Sequence, residues 1–163
     1  MPIVPFDSLP DESRVWVFGS DRPVERDAAD RLIEAVDGFL EQWKAHGAPL
    51  RCGREWRDDR FLIVGVDTTI EGASGCSIDG LFRTLQRLET AIGARLVGGG
   101  RVFFRDPSGH ARAASREEFA DLAEHGTVTA ETPVFDTSLT SAGEWRASFE
   151  RPAGESWTAG FFA

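Results

Sequence analysis

A chain of 163 residues, 41% hydrophobic and 28% charged, has the make-up of one folded domain (1–163) with a substantial core, not of a disordered segment. Its net charge of −9 excludes a general nucleic-acid binder, because a phosphate backbone demands a basic surface, and argues equally against docking on anionic membranes. No apolar run approaches the roughly eighteen residues of a membrane span, and the opening Met-Pro-Ile-Val-Pro-Phe-Asp-Ser has neither region of a signal peptide, so a cytoplasmic protein is expected.

Residues 14–19, Arg-Val-Trp-Val-Phe-Gly, read as a strand apolar on both faces. Ser20 or Asp21 then caps a helix with Pro23 near its first position. Its stripe is Val24, Ala28, Leu32, Val36, Phe39, Leu40 and Trp43, and Gly47 with Pro49 closes it. Residues 50–57 and 60–66 form a hairpin turning at Asp58-Asp59. A second helix spans 77–93, burying Ile78, Leu81, Phe82, Leu85, Leu88 and Ile92. Gly98-Gly-Gly100 turns into a strand at 101–105, and Asp106-Pro-Ser-Gly109 returns the chain antiparallel over 110–114. Ser115-Arg-Glu-Glu118 is a capping box opening a short helix that closes at Gly126. Residues 132–136 read as a last strand, and the tail after Thr137 as irregular, pinned by Trp145 and Trp157.

The first 105 residues thus have the order βαββαβ, which predicts an α+β fold: a ferredoxin-like core sheet with two packed helices, and residues 106–163 added as a C-terminal extension. In this reading the first and third strands are parallel neighbours at the sheet centre. Aromatics pointing both ways in the first and fourth strands imply that the second sheet face is covered, by the C-terminal third or by a partner in a homodimer.

That topology brings the loops after the first and third strands to one edge, as a crevice for a small anionic ligand. Ser20, Asp21 and Arg22 would face Asp67, Ser74, Gly75, Cys76 and Ser77 across it. The stretch 67–80 matters most, because small residues, hydroxyls and a thiol sit where a strand hands over to a helix, and a helix N-terminus favours anions and thiolates. The favoured function is non-catalytic binding or interaction; the alternative is an enzyme with Cys76 as nucleophile. Ser74 and Ser77 read first as caps. Cys52 and Cys76 are too few for a disulfide framework, which again suits a reduced cytoplasm. No Cys-x-x-Cys or His-x-x-x-His spacing occurs and the one lysine, Lys44, lies in the first helix, so no metal, cofactor or P-loop is expected. Arg51, Arg54, Arg57 and Arg60 read as solvated arginines of an edge strand, not as a nucleic-acid surface. One lysine stands against seventeen arginines, with no tyrosine and no asparagine, a bias suited to a G/C-rich genome or a salt-adapted cytoplasm.

Ser13-Arg-Val-Trp-Val, Phe39-Leu-x-x-Trp43 with Ala-His-Gly47, Ala73-Ser-Gly-Cys-Ser-Ile-Asp79, Val134-Phe-Asp136 and Ser156-Trp157 together resemble a small family of uncharacterised bacterial proteins. Its members often bear the label ABC transporter ATPase. Without a Walker lysine that activity is physically untenable for this chain. Relatives carry histidine after the last Ser-Trp, where Thr158 stands here. The resemblance implies a grouping and no particular chemistry.

Overall fold

The computed structural model describes residues 3–69 and 72–162. Ile70 and Glu71, inside the stretch 67–80, lie outside the described residues. The elements in chain order are β1 (Arg14–Gly19), α1 (Arg26–Glu41), β2 (Lys44–Ala45), β3 (Ala48–Pro49), β4 (Cys52–Arg57), β5 (Phe61–Val66), α2 (Gly75–Ile92), β6 (Arg101–Arg105), β7 (Ala111–Ser115), α3 (Arg116–Glu124), β8 (Pro133–Phe135), α4 (Ala142–Ser148) and β9 (Glu150–Pro152). The chain is a mixed α+β protein.

Two separate sheets carry the fold. The first has the order β1-β5-β4 and the second the order β7-β6-β8-β9. Alternation along β1 and β5 sends Trp16, Phe18, Leu62, Val64 and Val66 to one face, where they pack with Leu32, Val36 and Leu40 of α1 and Leu81 and Leu85 of α2. Val15, Phe61 and Ile63 go to the other face, against Phe103 and Phe135 of the second sheet and Trp145 and Phe149. The far face of the second sheet buries Val102, Phe104 and Val134 under Phe119 of α3, with Phe161 and Phe162 packed alongside. The result is four layers, helix pair, sheet, sheet and helix, with Phe61 central to the inter-sheet core. Its ring centroid lies 5.2 Å from Phe103, 4.8 Å from Phe135 and 5.2 Å from Phe149. The covered second face expected from the aromatics is therefore covered by the C-terminal third of the same chain. Part of that face is closed by the N-terminal segment instead. A Cβ on Gly65 would fall 2.7 Å from Leu9 and one on Gly53 2.6 Å from the Val4 carbonyl, so the paired glycines form the floor on which that segment lies.

Two expectations about the sheet are corrected. β1 and β5 are neighbours, as expected, but antiparallel, with Arg14 opposite Val66 and Gly19 opposite Phe61. The reason is in the connections: β4 lies parallel to β1 after the α1 crossover, and a tight hairpin reverses the chain into β5, which is antiparallel to both. The fourth strand does not join this sheet at all, so the expected ferredoxin-like sheet is not built. β6 is central in the second sheet, paired with β7 and β8, a place that suits a strand with large side chains on both faces. The open edge of β1 is met by Thr140, whose carbonyl accepts from Val15 N at 3.0 Å.

Local boundaries differ for similar reasons. α1 starts at Arg26, not behind Ser20 or Asp21, because the amides of residues 20, 21 and 24 donate to Arg60, Arg95 and Asp59 carbonyls. It stops at Glu41, and His46-Gly47, both at positive φ (52° and 80°), make the turn of the β2–β3 hairpin instead of a helix end. The tail is more ordered than expected. Ser141 caps α4 and Glu144 answers it, a complete capping box within the stretch read as irregular.

Candidate functional site

Ser74 is the N-cap of α2. Its Oγ accepts from Ser77 N at 3.1 Å, and the two hydroxyls lie 2.7 Å apart. Ser77 Oγ donates to the Lys44 carbonyl at 2.7 Å, and Trp43 Nε1 donates to the Ser77 carbonyl at 2.9 Å, so Ser77 ties the helix end to the start of the β2–β3 hairpin while Ser74 caps the helix. Gly75 opens the helix and Cys76 in its first turn is exposed. Cys52 is sealed in the core, where burial pushes its thiol up to about 12. Asp67, at the end of β5, is buried. It accepts from the Thr69 amide and hydroxyl and from Arg51 Nη1 at 2.9 Å, and these bonds, that of the Thr69 hydroxyl foremost, hold its carboxyl below the usual range.

The other half of the expected crevice is elsewhere. Ser20 is buried and its hydroxyl donates to the Arg22 carbonyl. Asp21 accepts from Arg95 N at 2.9 Å, just beyond the C-terminus of α2, and Arg22 is an exposed partner of Asp21. Cys76 sits in the first turn of the same 18-residue helix, so the two loops are separated by its length, about 27 Å. Antiparallel pairing of β1 with β5 puts them at opposite ends of the sheet, and no crevice joins them.

A hollow with a volume of about 730 Å³ lies between the β6–β7 hairpin and α3. Phe104, Ala113, Ala114 and Leu122 give it an apolar floor, and Asp106, Arg112, Glu118 and Asp121 carry its charges. The sequence placed each lining residue on its element but offered no sign that hairpin and helix stand apart. Asp106 is the organiser of the hairpin end. It accepts from the amides of Ser108 and His110, from the Ser108 hydroxyl and from Arg112 Nε at 2.7 Å, and these partners, the Ser108 hydroxyl first, press its carboxyl far below the usual range. Glu118 is committed to the Ser115 amide at 2.9 Å in the capping box of α3. The Asp121 carboxylate takes no hydrogen bond or ion pair among the described residues and is exposed at the rim.

The arginines read as solvated are not alike. Arg51 pairs with Asp67, Arg54 pairs with Asp37 at 2.8 Å, and Arg57 stacks over Trp145. Arg60 is buried, at 5% exposure. One signal could have marked it: it directly precedes the six-residue strand whose every residue is buried.

Among the described residues no three His, Cys, Asp or Glu side chains are grouped as a metal ion requires, and no helix is long and apolar enough to cross a membrane. No protein-family model matches the chain, and no curated protein and no solved structure matches it.

Proposed function

We propose that this is a non-catalytic binding protein whose ligand occupies the hollow between the β6–β7 hairpin and α3. The observation that supports the reading most is the combination found there: a ligand-sized concavity with an apolar floor and a few polar groups at its rim. Charge sets the class of ligand. Arg112 is balanced by Asp106, while Asp121 has no counter-ion among the described residues and Glu118 adds a second negative charge, in a chain of net charge −9. The hollow therefore suits a small molecule with an apolar body and a cationic end, the end lying at Asp121. Phenethylamine is a fitting probe, with phenylacetate as its anionic counterpart. Calorimetric titration should show the amine binding and the acid not. A charge-assisted hydrogen bond is worth about 1.5–3 kcal/mol, so Asp121→Asn should weaken the amine at least tenfold. Leu122→Trp, which fills the floor, should abolish its binding. Equal affinity for amine and acid, or variants that bind as the parent does, would contradict the reading.

A second reading, an enzyme that uses Cys76 as nucleophile, is supported by the exposure of that thiol in the first turn of α2, where the helix dipole favours a thiolate. The hydroxyls beside it are already engaged in the cap and with Lys44, which favours the binding role over this one.

A further inference from the structure

Arg60 is a buried charge that touches no carboxylate among the described residues. Arg51, Arg54, Arg105, Arg112 and Arg146 each meet a carboxylate between 2.7 and 3.3 Å and are more exposed. Arg60, at 5% exposure, has none within 4.0 Å among the described residues. Its Nε donates to the Ala111 carbonyl at 2.9 Å and its Nη1 to the Ser20 carbonyl at 3.0 Å. These carbonyls orient the guanidinium and satisfy two donors, but they are neutral, and a buried charge without a counter-ion is costly. Burial, with the like charge of Arg112 next, lowers the Arg60 pKa from its usual value against the opposing pull of the Asp21 carboxylate, although a guanidinium stays charged at any working pH.

The third nitrogen of Arg60, Nη2, takes no partner among the described residues and is not sealed off from solvent. The residue lines a hollow of about 340 Å³ bounded by Pro23, Asp58, Asp59, His110, Ala111 and Arg112. Arg112 commits only Nε to Asp106, and its two terminal nitrogens take no hydrogen bond among the described residues. Asp58 is turned to Arg105 at 3.3 Å, and Asp59 at the rim makes no ion pair among the described residues. Arg60 and Arg112 therefore line one small hollow from different elements, and the Arg60 guanidinium is fixed by two carbonyls with no carboxylate in contact among the described residues.

We propose that this hollow binds a phosphate group, held by Nη2 of Arg60 and the terminal nitrogens of Arg112. A tetrahedral oxyanion accepts hydrogen bonds from several directions, which fits donors arriving from two elements better than the planar fork of a carboxylate does. The site is separate from the amine-binding hollow in ligand charge and in its principal residue, although Arg112 borders both.

Calorimetry and thermal unfolding in low-salt buffer test it, with inorganic phosphate, glycerol phosphate and acetate as three arms. Phosphate should bind and raise Tm with concentration, as any ligand of the native state must, and acetate at equal ionic strength should do neither. Tighter binding of glycerol phosphate than of phosphate identifies an esterified ligand, and the reverse order a free one. Arg112→Gln, at an exposed side chain, should fold and weaken phosphate at least tenfold. Arg60→Lys keeps the charge but cannot make both carbonyl bonds and reach the anion, and should lose phosphate binding. Leu122→Trp should leave it unchanged, which separates failure here from failure of the amine site. No binding at 10-millimolar-order phosphate by calorimetry, acetate binding as tightly, or undiminished phosphate affinity in Arg112→Gln would each overturn the proposal.

Discussion

At the scale of single residues, the two cysteines have opposite settings. Cys52 lies in the core with its thiol donating to the Leu40 carbonyl at 3.6 Å, whereas Cys76 is exposed at a helix start. Iodoacetamide should therefore label the native protein once, at Cys76, and a second time only after unfolding; mass spectrometry of the two states checks this. The pH dependence of the labelling rate then weighs the nucleophile reading. A rate that reaches its plateau near neutral pH supports it, and one that keeps rising beyond the ordinary thiol range near 8.5 removes it. Ser74 and Ser77 were legible as caps from spacing alone, since a small hydroxyl before an amphipathic run has one main use. The burial of Arg60 could have been read from its place directly before a fully buried strand, but its partners could not, because nothing local shows that the carbonyls of Ser20 and Ala111, far away in sequence, hold it.

At the scale of elements, periodicity located β1, the β4–β5 hairpin, α2, the β6–β7 hairpin and α3 within a few residues. Those segments carry their own signals: alternation, a fourfold apolar stripe, a turn dipeptide or a capping box. What failed was the pairing of elements, for which the chain has no local mark. The fourth strand could extend the first sheet or found a second one, and only the fit of Phe103 against Phe61 and Gly19 decides it; a Cβ on Gly19 would clash with the Phe103 ring. α4 was missed although its signal is present, Ser141 followed by Glu144, because the segment is short and its apolar positions are few. Ser141→Ala should cost about 1 kcal/mol, the usual worth of an N-cap. Urea unfolding would show it as a lower midpoint at an unchanged slope. An unaltered midpoint would mean that α4 is held by Trp145 and Phe149 packing alone.

For the whole molecule, the antiparallel central pair has the largest consequence. It sends the Ser20 and Cys76 loops to opposite ends of the first sheet and leaves the second sheet, with its hairpin and α3, to form a hollow of ligand size and mixed chemistry. The net charge of −9, read at the outset against a nucleic-acid partner, is also what the proposal of a cationic ligand there draws on.

The most direct measurement is a ¹H–¹⁵N spectrum of the protein titrated with phenethylamine. If the hollow is the binding site, the amides that shift belong to Ala113, Ala114, Asp121, Leu122 and Thr127, while those of residues 74–78 stay in place. Shifts gathered around Cys76 and Ser77, or none at saturating amine, would contradict it.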